Sequence, residues 1–217
     1  DVIHATNSPP SQVTAARTAA RVLRVPVVVD WWAVREGDTA RMIRRAARTP
    51  DRVLAPSQLV KTAVRERGAR ADDVTVVPDF IDIDLVRSAD VDNRADLVYA
   101  RRLDEHANVE SFLLALAELR DREWRAVVVG DGPERGHAME TAAELRIDDR
   151  VSFLGALSPA EFVPILKGAH VFAQTAAVEP FARELLWALA CGCVGIVEYQ
   201  AASSAHELVE NCQRGAR

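Results

Sequence analysis

Short apolar runs rich in β-branched residues recur along the chain, and segments with helical periodicity separate most of them. The runs are VIHA, PVVVDW, RVLAPS, VTVVP, DLVYA, RAVVVG, RVSFLG, HVFAQT and VGIVE. The segments between them include VESFLLALAELRD and SPAEFVPILKGA, and in the latter Ser158, Pro159 and Glu161 predict a capping box at the helix start. Strands that alternate with helices in this way predict parallel sheets with helices on both faces, so the expected fold class is α/β.

The alternation of strands and helices is interrupted at residues 78–96, PDFIDIDLVRSADVDNRAD, which are polar and acidic. A loop of this length is uncommon inside a compact domain, so we interpret the stretch as a boundary between two doubly wound domains. The prediction assigns residues 1–90 to a first domain with its linker and residues 91–217 to a second. The chain starts on a strand without Met and stops where a further strand is expected, so we interpret it as an internal piece of a longer protein.

The charged residues are unevenly distributed. Residues 1–70 hold 13 Lys and Arg against 6 Asp and Glu, whereas the remainder holds 14 against 26. Seven arginines of the first part recur at helical spacing in two stripes: Arg17, Arg21 and Arg24, then Arg41, Arg44, Arg45 and Arg48. Each stripe indicates either a solvated helix face or peripheral contact with an anionic membrane surface that carries an acceptor. Nucleic acid is not expected as a partner because no aromatic side chains alternate with these arginines.

Several classes of protein are disfavoured by what the sequence lacks. There is no apolar run long enough to cross a bilayer, no secretory leader and no anchor motif, so we expect a cytoplasmic location, with peripheral contact at the inner face of the cell membrane. Cys191, Cys193 and Cys212 have neither zinc-site nor disulfide spacing and are interpreted as free thiols. The five histidines are scattered, so no metal site is expected.

Three of the predicted strands are followed by residues suited to an anionic ligand. Arg101 and Arg102 follow DLVYA, Gly130 and Gly132 follow RAVVVG, and the segment EPFARELLWALACG, residues 179–192, follows HVFAQT. Ligands of open parallel sheets bind at the carboxyl ends of the strands, and a helix N-terminus attracts phosphate. Together these segments predict a diphosphate pocket, although each alone is also explained by a turn or a surface ion pair.

Six segments, in this order and spacing, resemble the retaining GT-B glycosyltransferases of group 1. They are RVLAPSQLVKTAVRERGARADDVTVVPDFID, YARRLDEHANVE, VVVGDGPER, DRVSFLGALSPAEF, EPFARELLWALACGCVGIVE and SSAHELVEN, and DVIHATNSPPS is similar to the later part of the family's acceptor domain. The resemblance implies two Rossmann-like domains, the first incomplete and the second truncated at its end. It also implies transfer of a hexose from a UDP- or GDP-linked nucleotide diphosphate sugar to a glycan or lipid-linked acceptor, with retention of configuration and no cofactor.

The resemblance further implies roles for individual residues. Arg102 matches the arginine that binds the donor phosphates, and Glu179 matches a glutamate that contacts the transferred sugar; these are the expected catalytic residues. The donor-binding residues are expected at strand ends and in the segments that follow them, namely Arg102, Gly130, Gly132, Leu154, Phe181, Ala182, Arg183, Glu184 and Glu207. In the first domain the family's catalytic-side histidine aligns near Trp32 or Asp30.

Two positions depart from the family pattern. Ala107 stands where a second phosphate-binding cation is expected, and Trp187 stands where a glutamate grips the ribose. We interpret Arg183 as a replacement for the lost cation and Glu184 as a replacement for the lost carboxylate; the alternative is that both are ordinary first-turn surface residues. Two other functions therefore stay open: a catalytically inactive nucleotide-sugar-binding subunit, and a nucleotide-sugar epimerase of the same fold.

Overall fold

The computed structural model describes residues 1–32, 39–210 and the backbone of 215–216. The chain divides into two units, Asp1–Asp79 and Phe80–Arg217. Residues 80–90, predicted from the sequence to belong to the first domain, are therefore part of the second unit. The reason is a short helix, Ile83–Ser88, whose Val86 lies in the core of that unit.

The first unit is a four-stranded parallel sheet with helices between its strands. Its elements are β1 (Ile3–Thr6), α1 (Ser11–Leu23), β2 (Val27–Asp30), α2 (Ala40–Arg48), β3 (Arg52–Ala55), α3 (Gln58–Glu66) and β4 (Val74–Val76), with a 3₁₀ turn at Ala71–Asp73. The strands pair in sequential order, β1-β2-β3-β4. Alternate strand residues such as Val27 and Val29 are buried beside Val13 of α1, as the period of two along a strand requires.

The second unit is built around a six-stranded parallel sheet. Its helices are α4 (Ile83–Ser88), α5 (Val109–Glu118), α6 (Arg135–Glu144), α7 (Pro159–Gly168) and α8 (Arg183–Cys191), with a 3₁₀ turn at Ala205–Leu208. Its strands are β5 (Leu97–Ala100), β6 (Ala126–Val129), β7 (Val151–Gly155), β8 (Val171–Gln174), β9 (Val178–Glu179), β10 (Val194–Val197), β11 (Ala202–Ser203) and β12 (Gly215–Ala216). The large sheet has the order β12-β10-β8-β5-β6-β7, and β9 pairs separately with β11.

The apolar strands of this sheet are buried because a separate core packs against each face. The first core is formed with helices α4, α7 and α8, and the second core with helices α5 and α6. All four residues of β6 are buried, which explains its continuous apolar sequence. All nine strands predicted from the sequence are present, so the prediction of an α/β fold with parallel sheets is confirmed. The capping box is also present, since the Ser158 backbone N–H donates to the Glu161 carboxylate at 2.9 Å.

The strand order reverses between β5 and β8. From β5 the chain proceeds outward to β6 and β7, and it then returns to place β8 on the other side of β5 before continuing to β10. Such a reversal leaves a crevice at the carboxyl ends of the two central strands, where ligands of doubly wound sheets bind.

Among the described helices, none is both long enough and apolar enough to span a membrane.

Candidate functional site

A cleft of about 530 Å³ opens at the carboxyl ends of β5, β6 and β7. One wall is apolar and includes Leu157, Phe162 and Trp187. The charged residues of its lining come from the ends of strands, the start of α8 and the segment before α4: Asp82, Arg101, Arg102, Asp131, Arg183 and Glu184. The cleft adjoins the reversal of strand order at β5, and it brings together Arg102, Gly130, Arg183 and Glu184 of the predicted site.

The two arginines after β5 have different environments. The Arg102 side chain is 74% exposed and its Nε lies 3.8 Å from an Asp104 oxygen, so it is available to a ligand in the cleft. The Arg101 side chain is only 13% exposed, and its Nη1 donates to the Glu179 carboxylate at 2.9 Å and to the Val178 carbonyl at 2.8 Å.

Arg101 is a site residue for which no separate role was predicted from the sequence. A signal for its burial was nevertheless present, because residues two apart on a strand share a face. Tyr99, two residues earlier, is completely buried, so a side chain at position 101 is directed toward the interior if the strand geometry continues. The basic charge of Arg101 is then matched by Glu179, 78 residues away in sequence.

Glu179 ends the short strand β9, and its side chain is 13% exposed. Burial raises the pKa of this carboxyl to about 7, against the opposing effect of Arg101. Glu184 and Asp104 add to the rise, whereas a hydrogen bond with the backbone of Phe181 lowers the pKa. Glu179 is not part of the cleft lining but contacts Arg101, which is. A buried carboxyl group whose pKa is raised toward neutrality beside such a cleft is the kind of group found at sites of proton transfer or ligand binding.

The glycine pair after β6 is explained by backbone packing. Gly130 and Gly132 have φ values of 133° and 157°, and a Cβ atom at these positions would lie 1.8 Å from the Arg101 carbonyl oxygen and 2.2 Å from that of Leu103. The absent side chains thus let this turn pack directly on the loop 101–103 that carries the two arginines. Gly130 also lines the cleft, whereas Gly132 lies outside its lining.

The N-terminus of α8 faces the cleft. Arg183 is its first residue and is exposed, Glu184 is half-buried, and Trp187 is 7% exposed one turn later. Phe181 and Ala182 precede the helix and are buried outside the cleft lining. Trp187 is a core residue of the second unit that also lines the cleft, so the side chain takes space where the family resemblance implies a carboxylate.

The other residues singled out from the sequence lie away from the cleft lining. Ala107 is completely buried in the second core, where its carbonyl accepts a 2.6 Å hydrogen bond from the Tyr99 hydroxyl. Leu154 packs against the first core, and Glu207 lies on the 3₁₀ turn Ala205–Leu208. Cys193 is buried, while Cys212 is outside the described residues.

In the first unit, an Asp30 carboxylate oxygen lies 2.9 Å from His4 Nε2, and the Trp32 backbone N–H donates to the Asn7 side chain at 3.0 Å. Within residues 1–32 and 39–210, no group of three His, Cys, Asp or Glu side chains is arranged to hold a metal ion.

Comparison with known proteins identifies the family. The model of the family described as "Glycosyl transferases group 1" matches residues 82–216, and that of the "Glycosyl transferase 4-like domain" matches residues 1–79. The chain therefore belongs to the group 1 glycosyltransferase family, as the sequence motifs predict.

Individual relatives support the fold. The chain is 24% identical over 168 residues to the alpha-monoglucosyldiacylglycerol synthase of Streptococcus pneumoniae, covering 70% of this chain and 38% of that protein. It superimposes on Anabaena HepE in complex with UDP with a TM-score of 0.82 and 23% identity, covering 99% of this chain and 64% of HepE. For WaaG, a glycosyltransferase of lipopolysaccharide biosynthesis, the TM-score is 0.70, the identity 14%, and the coverage 95% and 68%. The predicted GT-B fold is thus confirmed, and the chain spans less than two thirds of the length of the first two relatives.

Proposed function

We propose that the protein is a retaining glycosyltransferase that moves a hexose from a nucleotide diphosphate sugar to a glycan or lipid-linked acceptor. The observation that carries this proposal is the cleft at the carboxyl ends of β5, β6 and β7, where Arg102, Arg183 and the N-terminus of α8 meet. Positive groups at this place suit a diphosphate, whose departure is the step that the site must stabilise. Family membership supports the same chemistry.

The proposal gives roles to three charged residues of the cleft and to Glu179, which lies outside its lining. Arg102 holds the diphosphate, Arg183 supplies the second positive charge, and Glu184 binds the ribose. Glu179 contacts the transferred sugar. No metal or other cofactor is required, because the arginines and the helix N-terminus carry the charge of the leaving diphosphate. The donor is UDP- or GDP-linked, and UDP is favoured because HepE structures hold UDP, UDP with glucose, and UDP-glucose.

Calorimetric titration of nucleotides tests the donor site. UDP, GDP and ADP, and their hexose conjugates, are titrated into the protein and into an Arg183→Ala, Glu184→Ala double variant. The matched control is Arg87→Ala, Asp84→Ala, which removes an exposed ion pair of α4. We expect one nucleotide to bind, its affinity to fall at least tenfold in the first variant because a charge-assisted contact is lost, and the control to bind normally.

The same titration separates this function from its alternatives. If no nucleotide binds to well-folded protein, Trp187 closes the pocket and the donor-site proposal fails. If a nucleotide sugar binds but is neither transferred nor epimerised in the presence of acceptors, the protein is a catalytically inactive binding subunit. Conversion of the sugar to an epimer without any acceptor identifies the epimerase alternative.

We further propose that the first unit contacts an anionic membrane surface that presents the acceptor at the inner face of the cell membrane. Helix α2 exposes four arginines around one shallow depression: Arg41, Arg44, Arg45 and Arg48. In the described part of the chain no carboxylate forms an ion pair with them. The stripe on α1 is weaker, because Arg17 is paired with Asp51 at 2.7 Å. The name of the pneumococcal relative denotes a glucosylated diacylglycerol, which supports a lipid acceptor.

Vesicle sedimentation tests this contact. We expect binding to phosphatidylglycerol vesicles, none to phosphatidylcholine vesicles, and a decrease with added salt. Arg44→Gln, Arg45→Gln is expected to weaken the binding roughly thirtyfold, since each basic residue near an anionic surface contributes about 1 kcal/mol. The control Arg65→Gln, Arg70→Gln removes the same charge from exposed positions elsewhere in the first unit. Equal loss in both variants would show that only net charge matters and would refute a specific α2 contact.

A further inference from the structure

A buried ion pair joins the two chain segments that flank the reversal of strand order. Arg101 lies directly after β5, and Glu179 lies on β9, a few residues after β8. One nitrogen of the guanidinium donates both to the Glu179 carboxylate and to the neighbouring Val178 carbonyl, and Nη2 lies 3.6 Å from Asp104. Arg101 therefore fixes both the backbone and the side chain of the segment that carries Glu179.

The Arg101 guanidinium is not fully hydrogen-bonded. Its Nε is buried and has no hydrogen-bond partner within the described residues. A buried donor without an acceptor reduces stability. An arginine that served only to stabilise the fold would therefore be expected to have an acceptor for each buried N–H group. The placement instead directs one end of the guanidinium to Glu179.

We propose that Arg101 is a positioning residue that orients the Glu179 carboxylate for contact with the donor sugar. This inference rests on the proposed function, because it gives Glu179 the sugar as its ligand. It also separates the roles of two adjacent arginines. Arg101 acts through Glu179, whereas Arg102, one residue later, is exposed in the cleft and acts on the phosphates directly.

The charges around Glu179 determine how the pair responds to pH. Arg101, Asp104 and Tyr99 face it from β5 and the following loop, and Glu184 faces it from α8. Arg101 is the only cation of this set, and its charge opposes the rise in the pKa of Glu179 caused by burial and by the two acidic neighbours. Removing the arginine charge therefore raises the pKa of Glu179 further, so less of the carboxyl is ionised at neutral pH.

The test measures how much more tightly the protein binds a nucleotide sugar than the free nucleotide. This ratio of the two dissociation constants is called the advantage of the nucleotide sugar. The dissociation constants of UDP and UDP-glucose, and of GDP and GDP-mannose, are determined by calorimetry between pH 5.5 and 8.5. The proteins compared are the unchanged protein, Arg101→Gln, Arg101→Lys, Glu179→Gln and the double variant. Arg94→Gln, which removes an exposed arginine of the same unit, is the matched control.

We expect Arg101→Gln to reduce the advantage of the nucleotide sugar about tenfold at pH 7, the loss associated with one misplaced charge-assisted hydrogen bond, with the affinity for free nucleotide nearly unchanged. The pH midpoint of this advantage moves upward. Arg101→Lys restores the midpoint because it keeps the charge. In the Glu179→Gln background, Arg101→Gln has no further effect, because its action passes through the carboxylate.

Two results would overturn the inference. The first is that Arg101→Gln changes neither the advantage of the nucleotide sugar nor its pH midpoint. The second is that Arg101→Gln reduces the advantage by the same factor in the Glu179→Gln background as in the unchanged protein. If Arg101→Gln does not fold, Arg101→Lys and Glu179→Gln decide. Lysine keeps the positive charge but not the planar guanidinium that contacts Glu179, Val178 and Asp104 together, so it is expected to reduce the advantage while keeping the midpoint. Failure of the proposed function is distinct, because neither nucleotide sugar would then bind the unchanged protein.

Discussion

Replacing Gly130 with alanine is expected to destabilise the second unit severely. The added Cβ would lie 1.8 Å from the Arg101 carbonyl oxygen, where ordinary contact requires at least 3.4 Å, and the φ of 133° is one that alanine rarely adopts. The backbone strain amounts to about 1–3 kcal/mol and the steric overlap to a further 1–3 kcal/mol. We therefore expect the free energy of unfolding to fall by about 2–6 kcal/mol.

Gly136→Ala is a control that is expected to change the free energy of unfolding in the opposite direction. Gly136 lies in α6, and an added Cβ meets no atom within 4 Å, so alanine is expected to stabilise the helix by about 0.5–1 kcal/mol. Urea unfolding followed by circular dichroism measures both variants. The reasoning would be refuted if Gly130→Ala changed the free energy of unfolding by less than about 1 kcal/mol, the range of an ordinary surface substitution.

Three further outcomes are expected. Tyr99→Phe removes the buried hydrogen bond to the Ala107 carbonyl and should lower the free energy of unfolding by about 1–3 kcal/mol in the same urea experiment. The folded-state pKa of Glu179, about 7, lies above its ordinary value of 4.5, so between these values the folded protein retains a proton that the unfolded chain releases. The free energy of unfolding should therefore fall as the pH rises from 4.5 to 7, and Glu179→Gln should reduce that fall in calorimetric scans. Burial raises the pKa of Cys193 to about 12, so mass spectrometry after iodoacetamide treatment should find this thiol unmodified until the protein unfolds.

The main strands could be predicted because each is a local pattern. Continuous β-branched runs such as the one at β6 are typical of strands buried on both faces. The two-residue strands β9, β11 and β12 were not predicted, since so short a segment has no periodicity and its pairing depends on partners distant in sequence. The helix Ile83–Ser88 has only six residues, and its place in the second unit depends on packing.

The site was predictable to the extent that it consists of strand ends. The sequence places Arg102, Gly130 and Arg183 after strands or at a helix start, and all three line one cleft. The ion pair between Arg101 and Glu179 could not be read from spacing, because it requires β8 to lie beside β5 in the sheet. The order of strands is a property of the whole fold, so the partner of a buried charge is the part of a site that a linear pattern predicts least.

The position of β5 at the centre of the sheet also affects how the second unit forms during synthesis. Its partner β6 follows within about thirty residues, but the other edge of β5 is covered only by β8, at residues 171–174. Until β8 leaves the ribosome, β5 presents unpaired backbone groups along that edge, a surface to which other extended chains can add. We therefore expect nascent chains that end between β7 and β8 to associate with chaperones or with one another, and this tendency should disappear once β8 has been added.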